Sequence, residues 1–134
     1  GAQCVVLSID FRREADGSTM VYSHGGQIAT GRDPVDWARE GEKLGAGEIM
    51  LTAIARDGTH QGLDVEMTRR IAENVTIPVI TGGGCGLASH FIEGFLDGGA
   101  DAVSAGTFFC FKDQNPMQTR AHITNAGIPI RLHT

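Results

Sequence analysis

Residues 45–62 read G-A-G-E-I-M-L-T-A-I-A-R-D-G-T-H-Q-G, and this stretch decides the fold class. Gly45 and Gly47 break a helical pattern, Glu48 to Ala53 alternate as a short apolar strand, and a polar loop with Arg56, Asp57, Gly58 and Thr59 follows. In α/β folds the loops at the C-terminal ends of parallel strands carry the ligand chemistry. The stretch is therefore both a structural unit and a candidate site.

Working outward, the same plan recurs. Asp33-Pro34 predicts a helix start, with Asp33 as N-cap, Pro34 in the first turn, and Val35, Trp37, Ala38 and Leu44 as an apolar stripe ending at Gly45. Downstream, Asp64 caps a helix through Met67, Ile71 and Ala72 to Asn74, and Thr76 to Thr81 reads as a strand followed at once by Gly82-Gly83-Gly84. Leu87 to Leu96 is a third helix closed by Gly98-Gly99. Ala100 to Ala105 is a further strand that leads through Gly106-Thr107 into the aromatic run Phe108 to Phe111, and a last helix is expected after Pro116. Upstream, Cys4 to Asp10 is an apolar strand with Asp10 at its C-terminal tip. Phe11 to Gly31 is a long polar segment holding a small hairpin through Thr19 to Ser23.

Four strand-helix units in succession require right-handed crossovers and a parallel sheet. An open doubly wound sheet and half of an eight-stranded barrel both fit that count. The strand faces arbitrate: alternation puts Cys4, Val6, Ser8, Asp10, Glu48, Met50, Thr52, Val79, Thr81, Ala102 and Ser104 on one face, and Val5, Leu7, Ile9, Ile49, Leu51, Ile80 and Val103 on the other. A parallel sheet covered by helices on both faces is aliphatic on both, whereas the first face here is small and polar. The expectation is a single α/β domain over residues 1–134, a (βα)4 half-barrel of the TIM-barrel class with four parallel strands. Four strands cannot close a barrel, so a second copy or an N-terminal half-barrel is expected to complete it.

Composition narrows the function. The 134 residues are 41% hydrophobic and 20% charged, which suits a globular domain. A formal charge of -5, with eleven scattered Lys and Arg, gives no basic footprint for nucleic acid. No apolar run approaches the roughly 20 residues that span a bilayer, so no membrane partner is expected and the cytoplasm is the expected location. Cys4, Cys85 and Cys110 have neither framework nor metal spacing, and the five histidines show no metal pattern, so no metal site is expected. No cofactor is expected: the glycine turns match neither the dinucleotide nor the P-loop fingerprint.

Three groups are left as candidate chemistry. Asp10 is a carboxylate placed for general acid or base work, or for capping a loop. The turns Gly82-Gly83-Gly84 and Gly106-Thr107 follow neighbouring strands, and glycine lets backbone N–H groups approach an anion closely, so the pair is a candidate phosphate cradle. Asp57, Gly58 and Thr59 form a third polar loop beside Arg56.

Taken together, residues 45–62, Y-S-H-G-G-Q-I-A-T-G at 22–31, P-V-I-T-G-G-G-C-G at 78–86 and G-G-A-D-A-V-S-A-G-T-F at 98–108 resemble, in order and spacing, the C-terminal half of the cyclase subunit of imidazole glycerol phosphate synthase. The related phosphoribosyl isomerase shares the R-D-G-T loop and is the alternative, but the segment from His24 to Gly31 is more similar to the cyclase. The resemblance implies a barrel that joins ammonia from a partner glutaminase to a bis-phosphorylated ribulosyl intermediate. The products are imidazole glycerol phosphate and aminoimidazole carboxamide ribotide, within histidine biosynthesis. It implies that Asp10 is one of two acid-base aspartates, the other belonging to a half outside this sequence. Asp57, Gly58 and Thr59 lie near one substrate phosphate, and Gly83, Gly84, Gly106 and Thr107 hold the other. Glu48 matches a charged residue of the ammonia gate. The family usually has aspartate at Ala55, serine at Gly82 and histidine at Cys110, so the alternative to a lyase is a non-catalytic half-barrel that binds a phosphorylated ligand or serves as an assembly scaffold.

Overall fold

The structure, a computed structural model, describes residues 5–105. The elements are β1 (Val6–Arg13), β2 (Thr19–Ser23), β3 (Ile28–Ala29), α1 (Pro34–Lys43), β4 (Glu48–Ala53), α2 (Val65–Asn74), β5 (Val79–Gly82), α3 (Ala88–Leu96) and β6 (Ala102–Val103). Cys4, Gly106-Thr107, the Phe108 to Phe111 run, Cys110 and the helix expected after Pro116 lie outside the described residues.

One six-stranded sheet runs in the order β3-β2-β1-β4-β5-β6. β1, β4, β5 and β6 are mutually parallel, the pattern of a partial (βα) barrel, while β2 and β3 add an antiparallel edge. The expected edge at the first strand is thus partly covered. Asp10, Phe11, Arg12 and Arg13 pair with Tyr22, Val21, Met20 and Thr19, so β1 continues three residues beyond Asp10. Asp10 stands within the strand and not at its tip. The cause is the turn between β1 and β2, where Glu14 N donates to Ser18 O at 2.7 Å and Asp16 Oδ1 accepts from both the N–H and the hydroxyl of Ser18.

Helices begin where the side chains permit. Asp33 accepts from Asp36 N at 3.0 Å with Pro34 in the first turn, and Asp64 accepts from Met67 N at 3.0 Å. All three helices pack on one face of the sheet. There Ile9, Phe11, Ile49, Leu51 and Val79 meet Val35, Ala38, Met67 and Ile71, and each large side chain buried this way contributes about 1.5–3 kcal/mol. Leu44, expected in the α1 stripe, is 76% exposed at the helix C-cap.

The phase of β5 differs from the sequence expectation. Ile49 pairs with Val79 and Leu51 with Thr81, so Val79 and Thr81 belong to the buried helix-covered face and Ile80 to the open one. A buried threonine is tolerated because its hydroxyl has a partner: Thr81 Oγ1 lies 2.7 Å from Thr68 Oγ1, which itself donates to Asp64 O at 2.8 Å. The open face retains Val6, Ser8, Asp10, Glu48, Met50 and Thr52, in the register Val6↔Glu48, Ser8↔Met50 and Asp10↔Thr52.

Candidate functional site

Beyond β4 the chain does not leave the sheet but folds back over the turn that follows β5. Arg56 N donates to Ala53 O at 3.0 Å, Thr59 N donates to Arg56 O at 3.0 Å, and the Arg56 guanidinium holds Gly62 O at 3.0 Å. Gly62 N then donates to Gly84 O at 2.7 Å. This stacks the 54–62 loop on the glycine turn, and residues 82–86 are all buried.

Contact this close needs glycine at three positions, one of them Gly86, where a Cβ would stand 2.2 Å from His60 Cβ. A Cβ on Gly83 would stand 2.5 Å from Ala53 O, and one on Gly84 would stand 2.2 Å from Gly62 O, with φ at +94° and +98°. Both are left-handed values that other residues avoid. Among the described residues no group accepts from the N–H of Gly83, Gly84 or Cys85. Buried backbone N–H groups almost always have acceptors, so three in succession without one among the described residues stand out.

The next two N–H groups are occupied. Gly86 N and Leu87 N donate to His90 Nδ1 at 2.9 and 3.1 Å. His90 is buried, and burial is the main cause that holds its imidazole below the ordinary value of 6.5, with Glu93 opposing and His60 assisting. Sequence reasoning assigned His90 no role. The signal was present in its place, three residues after Leu87 at the start of a helix, where a Glu or Gln would be read as half of a capping box.

Asp10 sits elsewhere, on the open face of β1. A cleft of about 340 Å³ opens at the fork between β1 and β2, lined by Ser8, Asp10, Tyr22, Arg32 and Trp37 among others. The Arg32 guanidinium stacks 4.4 Å above the Trp37 ring. Glu48 occupies the opposite end of the same face, four strand residues or roughly 13 Å below the level of Asp10. Asp57, Gly58 and Thr59 are exposed at the crest of the 54–62 loop, and the Thr59 hydroxyl donates to Arg56 O at 2.6 Å. A second cleft, of about 250 Å³, lies between the ends of β1 and β4 and is lined by Arg13, Glu14, Ala55, Arg56 and Asp64 with Phe11 and Ala53. Ala55 therefore leaves open space where a longer side chain would project.

The structure thus brings Gly83 and Gly84 together with the 54–62 loop and sets Asp10 and Glu48 at the two ends of one face. Gly106 and Thr107 lie outside the described residues. Burial pushes the Cys85 thiol up to about 12, so it is a packing residue beside Leu63 and not a nucleophile. Among the described residues no group of three His, Cys, Asp or Glu side chains is placed to hold a metal ion, and no helix is long and apolar enough to cross a membrane.

Comparison with known proteins places this geometry in a lineage. The family model described as "Histidine biosynthesis protein" matches residues 1–115. The protein named "Putative imidazole glycerol phosphate synthase subunit hisF2" from Prochlorococcus marinus (strain MIT 9313) is 53% identical over 132 residues, which is 98% of this chain and 50% of that protein. The chain spans about half the length of the curated relative it matches. With its partial barrel and its linked glycine turn and loop, the chain belongs to the histidine biosynthesis protein family.

Proposed function

We propose that the chain is a half-barrel of the cyclase type that binds a phosphorylated small molecule at the C-terminal side of its parallel strands. The carrying observation is the buried row of N–H groups at Gly83, Gly84 and Cys85, which has no acceptor among the described residues. A phosphate oxygen at that row would satisfy them, with Gly106 and Thr107 completing the cradle and Asp57, Gly58 and Thr59 approaching the second phosphate. Such binding needs no side-chain cation, because aligned backbone dipoles supply the field.

In this reading Asp10 exchanges a proton with the ribulosyl intermediate on the open face, while ammonia enters past Glu48 and travels up the same face. A second carboxylate is needed as the complementary acid or base. Two copies paired about a twofold axis would supply it as a second Asp10, and an N-terminal half-barrel would supply it otherwise; a glutaminase subunit would deliver the ammonia. Turnover of the ribulosyl intermediate with ammonium as nitrogen source, lost in Asp10→Asn, is the expected result. A sedimentation equilibrium showing only monomer at tens of micromolar would rule out the two-copy barrel.

Ala55 favours a second reading, binding without turnover, because the family's aspartate is missing from the cleft that Arg13 and Arg56 line. Calorimetry with a phosphate ester separates the two: heat of binding without product formation supports the second reading, and no heat at all overturns both.

A further inference from the structure

We propose that His90 is the positioning residue of the glycine turn, holding it in the shape that leaves the N–H groups of Gly83, Gly84 and Cys85 to an anion, and that it does so only as a neutral imidazole. The inference rests on the phosphate reading above and adds its control.

The N-terminus of a helix ordinarily presents its first N–H groups to a bound anion. At α3 the two N–H groups on the threshold, those of Gly86 and Leu87, converge instead on His90 Nδ1 at 2.9 and 3.1 Å. A ring nitrogen that accepts from two donors carries no proton, so the hydrogen of the neutral ring sits on Nε2. That side of the ring lies along Gly62, where an added Cβ would be 3.5 Å from Nε2. Gly62 N in turn donates to Gly84 O. One buried ring is therefore wedged between the turn it shapes and the 54–62 loop that covers it. It removes two N–H groups from the row of donors and leaves the preceding three.

A proton on Nδ1 would face two N–H donors, and the turn would have to open. The charged groups that act on the ring are Glu93 on α3 and His60 on the covering loop, and the Arg56 guanidinium of the same loop holds the carbonyl of Gly62, the residue beside Nε2. Burial and His60 oppose the imidazolium, and Glu93 favours it. The consequence has a definite sign. A histidine that held an anion by its own charge would bind it better in acid, whereas this one must lose the anion as it gains its proton.

Sulfate is the probe, because it keeps both negative charges across the range in which imidazole titrates. Calorimetry on the full chain is expected to show sulfate affinity falling about tenfold between about pH 8 and about pH 5. His90→Asn places Oδ1 where Nδ1 stood and has no proton to gain, so it should bind equally at both pH values. His90→Ala should bind about tenfold more weakly than the parent at the higher pH, the factor expected for one lost network of about 1.4 kcal/mol. Tighter binding by the parent in acid, or a His90→Asn profile that follows the parent's, overturns the inference while leaving phosphate binding intact. If His90→Ala does not fold, His90→Asn alone decides. No sulfate uptake by the parent at either pH overturns the phosphate reading and this inference together.

Discussion

Arg13 and Asp64 meet in a two-pronged ion pair: Nε and Nη2 of the guanidinium each lie 3.1 Å from a carboxylate oxygen. The pair ties the end of β1 to the start of α2, and the same carboxylate caps α2 through Met67 N. Asp64 is buried while Arg13 is 30% exposed, so water partly screens the pair. Arg13→Ala is expected to cost about 1–3 kcal/mol, below the value for a fully buried pair, because the carboxylate stays in place with fewer partners. Asp64→Ala should cost about 1 kcal/mol more through the lost cap. Urea midpoints measure both, and an Arg13→Ala midpoint equal to the parent's would remove the pair from the account of stability.

The threonine pair across α2 and β5 predicts an asymmetry. Thr68 donates to Asp64 O, so the hydroxyl of Thr81 donates to Thr68 Oγ1. Thr68→Val leaves Asp64 O with the Thr68 N–H at 3.1 Å but strands the buried Thr81 hydroxyl, at about 1–3 kcal/mol. Thr81→Val removes only a donor and should cost under about 1 kcal/mol. The double variant should be less destabilised than the two singles added together, and simple additivity in a thermal double-mutant cycle would disprove the coupling.

Glycine substitutions should separate strain from collision. Gly58 has φ +80° with nothing within 4 Å of an added Cβ, so Gly58→Ala carries only the left-handed penalty of about 1–2 kcal/mol. Gly84→Ala carries that penalty and also drives a methyl group to 2.2 Å from Gly62 O. It should lift the 54–62 loop from the turn as well as lower the unfolding temperature. Faster amide exchange at Gly62 in Gly84→Ala, absent in Gly58→Ala, is the expected observation.

Acid should loosen the join between α1 and β5. The Glu42 carboxylate accepts from the Thr76 hydroxyl and N–H at 2.7 Å each and from Ile77 N at 3.0 Å. These bonds, the Thr76 hydroxyl foremost, hold its carboxyl below the ordinary 4.5. A depressed folded value means that the stabilisation is complete above 4.5 and is lost as pH falls through the lowered value. Glu42→Gln should show a shallower loss of urea midpoint between neutral pH and acid than the parent. Parallel pH profiles would refute this.

Much of the architecture was legible because its signals are local. Asp33-Pro34 and Asp64 mark helix starts by their own chemistry, and the alternation from Glu48 to Ala53 reproduces β4 as observed. The second hairpin strand, Ile28–Ala29, was missed because two exposed residues carry no periodicity. The phase of β5 was misjudged for a different reason. Thr81 looks polar in the sequence, and its burial depends on Thr68 thirteen positions away.

The candidate site divides in the same way. The Gly82 to Gly84 run, Asp10 and the Arg56 to Thr59 loop are visible as residue types, since only particular residues can carry those conformations and charges. Taken alone, the sequence determined the order of the strands and helices and the set of groups available for chemistry, because caps, glycines and alternation act over a few residues. Only the tertiary structure decided which of those groups meet. The 54–62 loop closes over the glycine turn and His90 takes up two of its N–H groups, because hydrogen bonds between distant segments are settled by packing and leave no periodic trace in the chain.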